Sequence, residues 1–262
     1  MPNKIFKGLP AKAYTDKDFW QKESDTVFTN SWVFVGFVHE LINIGDALPI
    51  TIANQPILIL KNAKGNIEAF HNVCSHRCLQ LVDQRKNVGK IIKCPYHAWS
   101  YDLDGNLLAS PHFGGTNNHK PKGFDNKKNG LRSIRIHIWN DWIFINLNNK
   151  AQPFEKYAST LIKQVNDINL KKINPVTTLD FGKINTNWKF LVENYIEPYH
   201  VQFVHKKTTS QPLKDHYTIV DGMCYGSGVD LKEEDTSANS LSVSSKYLSL
   251  FPNFIIGTYY PG

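Results

Sequence analysis

The sequence predicts an α+β protein in which an all-β module is followed by a region of helices and sheet. Three observations predict it. From Ile44 to Leu147, short apolar runs alternate with tight-turn signals, as in small antiparallel sheets. Apolar residues recur at helical spacing in the segment ending near Thr29, in Phe154–Ile168 and in Asn187–His205. Strand-like runs then return in Leu213–Ser227 and Leu241–Tyr260. The expected domain limits are an N-terminal helix and linker strand over 1–40, the β module over 41–149, and a helix-and-sheet domain over 150–262.

Each element has a local reason. Thr15 followed by Asp18 is a capping signal, and Asp16 and Asp18 favour a first turn, so a helix bearing Phe19, Trp20, Val27 and Phe28 is expected to start there. Ser31–Val38 reads as a buried strand. Gly45-Asp46 turns into the strand Ala47–Ala53. Pro56–Leu60 is β-rich, and Ala63–Asn66 is a hairpin turn into Ile67–Asn72. Gly89-Lys90 leads into Ile91-Ile92, and Asp104-Gly105 precedes Asn106–Leu108. Ile134–Trp139, Asn140-Asp141 and Trp142–Leu147 form a closing hairpin. Pro111–Gly130 reads as a polar, basic surface loop and Asp230–Ser240 as a polar, acidic one. No internal repeat is visible.

At 262 residues the chain can form one large domain or two ordinary ones with an adequate core. Hydrophobic content of 41% and charged content of 20% describe a soluble globular protein. The net charge of +7 comes from scattered lysines, which argues against nucleic-acid binding and suits steering of an acidic partner. No run approaches the roughly 20 apolar residues that span a bilayer. Met1-Pro-Asn-Lys-Ile-Phe6 has no secretory apolar region, and four cysteines do not look like a disulfide framework. A cytoplasmic, non-membrane protein is expected.

The chemistry is concentrated in two places. Cys74 and His76 form a Cys-x-His pair and, after 17 residues, Cys94 and His97 form a Cys-x-x-His pair. Either half alone reads as a buried cysteine with a core histidine. Zinc fingers with two of each ligand group the cysteines together and the histidines together, unlike this pattern. The two halves suit a [2Fe–2S] centre in which Cys74 and Cys94 hold one iron and His76 and His97 the other. The second place is Glu193-Asn-Tyr-Ile-Glu-Pro-Tyr-His200, with His205 five residues on. Residues i and i+5 of a regular helix are offset by about 140 degrees, so His200 and His205 do not project alike, but they can converge if Pro198 and a local widening disturb the helix. Two imidazoles and a carboxylate form the facial set of non-haem Fe(II), although H-x4-H by itself also describes two surface histidines.

These residues carry a family resemblance. C-x-H-x17-C-x-x-H, with Arg77 after the first histidine and Trp99 two after the second, resembles the cluster motif of Rieske proteins, and Tyr101–Asn106 is similar to its continuation in ring-hydroxylating and related non-haem iron oxygenases. Leu9-Pro10-Ala11, Ser31-Trp32 and Val35-Gly36 match the same family, as do Asn187-Trp-Lys189, Glu193-Asn194 and Glu197-x-x-His200-x4-His205. The resemblance implies a Rieske [2Fe–2S] domain and the start of a helix-grip, START-like catalytic domain. It makes His200 and His205 ligands of a mononuclear Fe(II), with Asn194 near the iron. Glu197 becomes the acidic link between the iron-ligating histidine and a cluster-ligating histidine, His97, of a neighbouring subunit in a homo-oligomer, most often a trimer. Tyr199 is expected to pack or to support the site from behind.

Electrons from NAD(P)H would arrive through a separate ferredoxin or flavin reductase, for O2-dependent hydroxylation of an aromatic ring, as in aromatic hydrocarbon catabolism, or hydroxylation or demethylation of a quaternary-ammonium-type small molecule. The N-terminal pattern and Tyr101–Pro111 resemble the branch of choline, betaine and carnitine monooxygenases. Two departures stand out. Cys78 occupies a place where the family usually has Gly, and is expected to be a small buried residue. The family's large subunits continue past the length seen here and supply an acidic third ligand there, so the chain is expected to be C-terminally incomplete; Asp221, Asp230 and Asp235 do not match that ligand's setting. A Rieske-type electron carrier and a non-catalytic remnant of an oxygenase are the competing readings.

Overall fold

The computed structural model describes residues 7–205, 215–230 and 244–260. Their contacts fall into two compact units, Ser24–Ala151, and Met1–Glu23 with Gln152–Gly262.

The first unit holds three small antiparallel sheets. β1 (Val33–Phe37) pairs with the hairpin of β9 (Arg135–Trp139) and β10 (Trp142–Asn146), in the order β1-β10-β9. β2 (Asp46–Ile52), β3 (Gln55–Lys61), β4 (Ile67–His71) and β5 (Lys86–Asn87) form a sheet ordered β4-β3-β2-β5. The third sheet is β6 (Ile92–Lys93), β7 (Ser100–Tyr101) and β8 (Leu107–Ala109). The β2–β3 turn has two central residues, Ala53 and Asn54, both at positive φ, because such a turn matches the twist of the strands it joins. Asn140, also at positive φ, does the same between β9 and β10. Ala47, Leu58, Leu60 and Phe70 from one sheet share a core with Ile92, Tyr101 and Leu107 from another, together with Trp99 and Leu103. Each large apolar side chain so buried contributes about 1.5–3 kcal/mol. Cys74 and Cys94 belong to that core.

The second unit joins the N-terminal helices to the chain from Gln152 onward. α1 (Lys12–Thr15) and α2 (Lys17–Glu23) replace the single helix expected to run to Thr29, and one π-helical turn, Ser24–Phe28, follows. The cap is Asp16, whose carboxylate accepts the Phe19 N–H at 2.9 Å, and not Thr15, whose hydroxyl donates back to the Ala11 carbonyl. α3 (Phe154–Tyr157) and α4 (Ser159–Gln164) cover the first expected helical stretch. β11 (His216–Asp221), β12 (Cys224–Asp230), β13 (Ser244–Leu250) and β14 (Phe254–Tyr260) form an antiparallel meander in chain order. α5 (Trp188–Ile196) packs against β12 and β13. The acidic loop expected from Asp230 lies, beyond that residue, outside the described residues.

α5 is anchored from the N-terminus. Lys189 Nζ donates to both carboxylate oxygens of Glu23 at 2.7 and 2.8 Å, and both side chains are buried. Trp188 Nε1 donates to the same carboxylate, Tyr14 donates its hydroxyl proton to Glu193, and the Tyr14 ring stacks on Phe190. Among the described residues no helix is long and apolar enough to cross a membrane.

Candidate iron centres

The two cysteine loops have one shape. Cys74 N–H donates to the Leu79 carbonyl and Cys74 C=O accepts the Cys78 N–H; Cys94 N–H donates to the Trp99 carbonyl and Cys94 C=O accepts the Ala98 N–H. The residue closing each turn sits at positive φ, Cys78 at 54° and Ala98 at 57°. Cys78 is therefore not the small buried residue expected. It is exposed, and glycine suits its place because of the backbone the turn demands, not because space is short.

The loops bring the four sequence-predicted ligands together in an ordered way. Cys74 and Cys94 are 2% and 3% exposed, whereas His76 is half-buried and His97 exposed, their ring centroids 4.8 Å apart. Burial raises the Cys74 thiol above its ordinary value, the Tyr101 hydrogen bond opposes this, and the adjacent Cys94 raises it further. A thiolate in so dry a place is costly by itself, and bound iron offsets that cost. Two buried sulfurs behind two less buried imidazoles fit a [2Fe–2S] cluster with two protein ligands per iron.

Tyr101 is a member of this site that the sequence did not single out. Its hydroxyl lies 3.2 Å from Cys74 Sγ and 2.9 Å from Ser75 Oγ, and accepts the Ser75 N–H at 3.1 Å. Burial, then the neighbouring Cys74, raises the Tyr101 phenol, which keeps it a proton donor toward sulfur. β7 turns Tyr101 into the core beneath the first loop, and a two-residue strand carries no periodicity that would mark it in the sequence. Around the histidines, Trp99 stacks on His76 at 4.8 Å and 9°, and Tyr96 lies over His97 at 3.7 Å.

The second site is built by a broken helix. α5 stops at Ile196, Glu197 takes an extended backbone ahead of Pro198, and α6 (Val201–Val204) is a single turn. His200 and His205 flank α6, and their rings come within 5.3 Å. The continuous helix expected over Asn187–His205 is interrupted where Pro198 removes a donor. Glu197 contacts His200 Nδ1 through one carboxylate oxygen and accepts the Tyr199 N–H through the other. The carboxylate thus fixes the His200 ring through Nδ1, and Nε2 is the nitrogen that contact does not use. Asn194 is exposed near the end of α5, and Tyr199 is largely exposed. Asp221 instead accepts the Thr160 hydroxyl at 2.7 Å. Among the described residues no group of three or more His, Cys, Asp or Glu side chains is placed to hold a metal ion; what stands at this site is two imidazoles, one of them bearing a carboxylate. A cleft of 610 Å³ in this unit lies at the other end of α5, lined by Tyr14, Trp20, Asn187, Trp188 and Phe190 among others, away from the histidines.

Paired Cys/His loops on small β sheets, followed by a helix-and-sheet region with two histidines at a broken helix, define an iron–sulfur protein of Rieske type with an appended α+β domain. A Rieske [2Fe-2S] domain model matches residues 31–120, and a model for the catalytic domain of the ring-hydroxylating alpha subunit matches 163–262. The chain belongs to the Rieske non-haem iron oxygenase family, in its large-subunit region. It is 33% identical over 200 residues to the glycine betaine monooxygenase oxygenase subunit of Pseudomonas aeruginosa, an alignment covering 75% of this chain and 44% of that one. Its fold is similar to a solved quaternary ammonium Rieske monooxygenase, with a TM-score of 0.78 at 22% identity over 95% of this chain and 68% of that one. It is also similar to naphthalene 1,2-dioxygenase from Rhodococcus sp., with a TM-score of 0.74 at 20% identity over 96% and 65%. The chain spans about half the length of the curated relatives it matches.

Proposed function

We propose that this chain is part of a terminal oxygenase that takes single electrons at Cys74, His76, Cys94 and His97 and uses them at an iron held by His200 and His205. The observation that carries the reading is the Glu197 contact to His200 Nδ1. An electron carrier has no need of a second imidazole pair with its own orienting carboxylate. When bound, the cluster supplies one-electron storage and the mononuclear iron supplies dioxygen activation.

The chain's own groups have distinct tasks. Cys74 and Cys94 would hold one iron of the cluster, with the Tyr101 hydroxyl beside the Cys74 sulfur to stabilise its charge. His76 and His97 would hold the other, and His97, exposed, is the ligand through which an electron would leave. Glu197 orients His200 and makes the ring a better ligand; it is also the group that would receive the electron from His97 of a neighbouring subunit in a trimer. Asn194 positions a water or a substrate polar group by hydrogen bonding. The meander β11–β14 with α5 across it is consistent with the start of a helix-grip domain, preceded by a Rieske domain over 41–149. The partners are a cytoplasmic ferredoxin or flavin reductase drawing on NAD(P)H, with O2 and a small-molecule substrate.

The substrate reading is a quaternary ammonium compound, supported by the glycine betaine relative at 33% identity. Ring hydroxylation is the second reading, favoured by the ring-hydroxylating family model over 163–262. The test is oxygen uptake by the iron-loaded protein with reductase and NAD(P)H, comparing glycine betaine and carnitine with aromatic acids. Uptake coupled to loss of a methylammonium substrate supports the first reading. Coupling only to an aromatic substrate replaces it with the second, and cluster reduction with no coupled uptake for any substrate reduces the protein to an electron carrier.

A further inference from the structure

The loop between Ser110 and His119 does more than bridge β8 to the next turn. Its Phe113 ring stands edge-on to His76, with centroids 5.7 Å apart at 86°, and edge-on to Trp99 at 5.0 Å and 86°. Phe124 backs it at 4.8 Å. Together with the stacked Trp99 and the edge-on His97, Phe113 leaves the His76 ring bounded on three sides. Yet Phe113 is 41% exposed, so deep burial does not hold it there. The loop does. The His112 N–H donates to His119 Nδ1 at 3.0 Å, the Asn117 N–H donates to His112 Nδ1 at 3.0 Å, and buried Ser110 donates its hydroxyl proton to the His119 carbonyl at 2.8 Å. The Gly114 N–H donates to the Asn118 carbonyl at 2.9 Å immediately after the phenyl ring. The polar surface loop expected over Pro111–Gly130 therefore carries an aromatic cover, braced by two histidines acting as acceptors.

We infer that Phe113 is a positioning residue for the cluster ligand His76: it fixes the imidazole orientation and keeps water off the histidine-ligated side of the cluster. Edge-to-face aromatic contacts restrict ring rotation, and the apolar surroundings of a metal site set its solvent access and its potential. The sign follows from charge. Reduction adds a negative charge to the cluster, water stabilises that charge, and so opening the cover raises the reduction potential.

The inference rests on the cluster assignment above and is independent of substrate. The test uses the whole chain with its cluster, as wild type, Phe113→Ala, Phe113→Tyr and His119→Ala, the last acting on the loop without touching a ligand. The readouts are reduction potential and the rate of cluster bleaching by a ferrous chelator. Phe113→Ala is expected to raise the potential and bleach several-fold faster, Phe113→Tyr to match wild type, and His119→Ala to fall between. Phe113→Ala indistinguishable from wild type in both readouts overturns the inference, as does Phe113→Tyr behaving like Phe113→Ala. The wild-type spectrum separates two kinds of failure. A wild type that takes up no cluster defeats the assignment itself, and a normal cluster with unaffected variants defeats only the role of Phe113.

Discussion

Cys78 and Ala98 close two turns of the same shape, each at a positive φ that an L side chain adopts at a cost of roughly 1–2 kcal/mol. Cys78→Gly removes that strain at an exposed position, and is expected to stabilise the apoprotein by about 1 kcal/mol after glycine's own entropic cost; a urea midpoint unchanged or lowered counts against this account of the turn. Tyr101 acts on charge instead of backbone. Tyr101→Phe deletes a hydrogen bond to Cys74 and is expected to lower the cluster potential while leaving its absorption spectrum intact. A potential equal to wild type in a redox titration would remove Tyr101 from the site. That Cys74, His76, Cys94 and His97 would be brought together was legible because their residue types and spacing are chemically restrictive. Tyr101 was not, because its contact depends on how a two-residue strand faces a loop 26 positions away. Cys78 was misread because an unusual residue in place of glycine suggested packing, when the requirement lay in φ.

At the scale of elements, α5 is the beam on which the second site is built. Its hold on the N-terminal helices is a buried ion pair, Glu23–Lys189, 166 residues apart. Lys189→Met leaves Glu23 buried without its cation and is expected to cost about 3–5 kcal/mol, much of it recovered in the Glu23→Leu/Lys189→Met double variant. Equilibrium urea unfolding of the three proteins checks this, and a mild single variant contradicts it. This docking was hidden in the sequence because a glutamate and a lysine read as surface residues. The helix break was partly legible: Pro198 announced a disturbance, but that α6 would shrink to one turn with a histidine at each end depends on the fold around it. From that geometry, Glu197→Gln is expected to weaken iron binding at His200 and His205 by roughly 10-fold or more with the cluster unaffected, as measured by iron titration.

Across the whole molecule, the β unit was the more readable half. Its strands are short, bounded by Gly, Asn and Asp, and local in their pairing, apart from β1, which pairs with β10 more than a hundred residues later. The grouping of residues before Glu23 with those after Gln152 was not readable, because it rests on contacts between distant segments. What joins the two halves functionally is the claim that one chain carries both a cluster and a second iron. Iron and acid-labile sulfide counts on the reconstituted protein, beside the His200→Ala/His205→Ala variant, test that claim most directly. The account predicts three irons and two sulfides per wild-type chain, falling to two irons and two sulfides in the variant. Two irons in the wild type, with no loss in the variant, would contradict it.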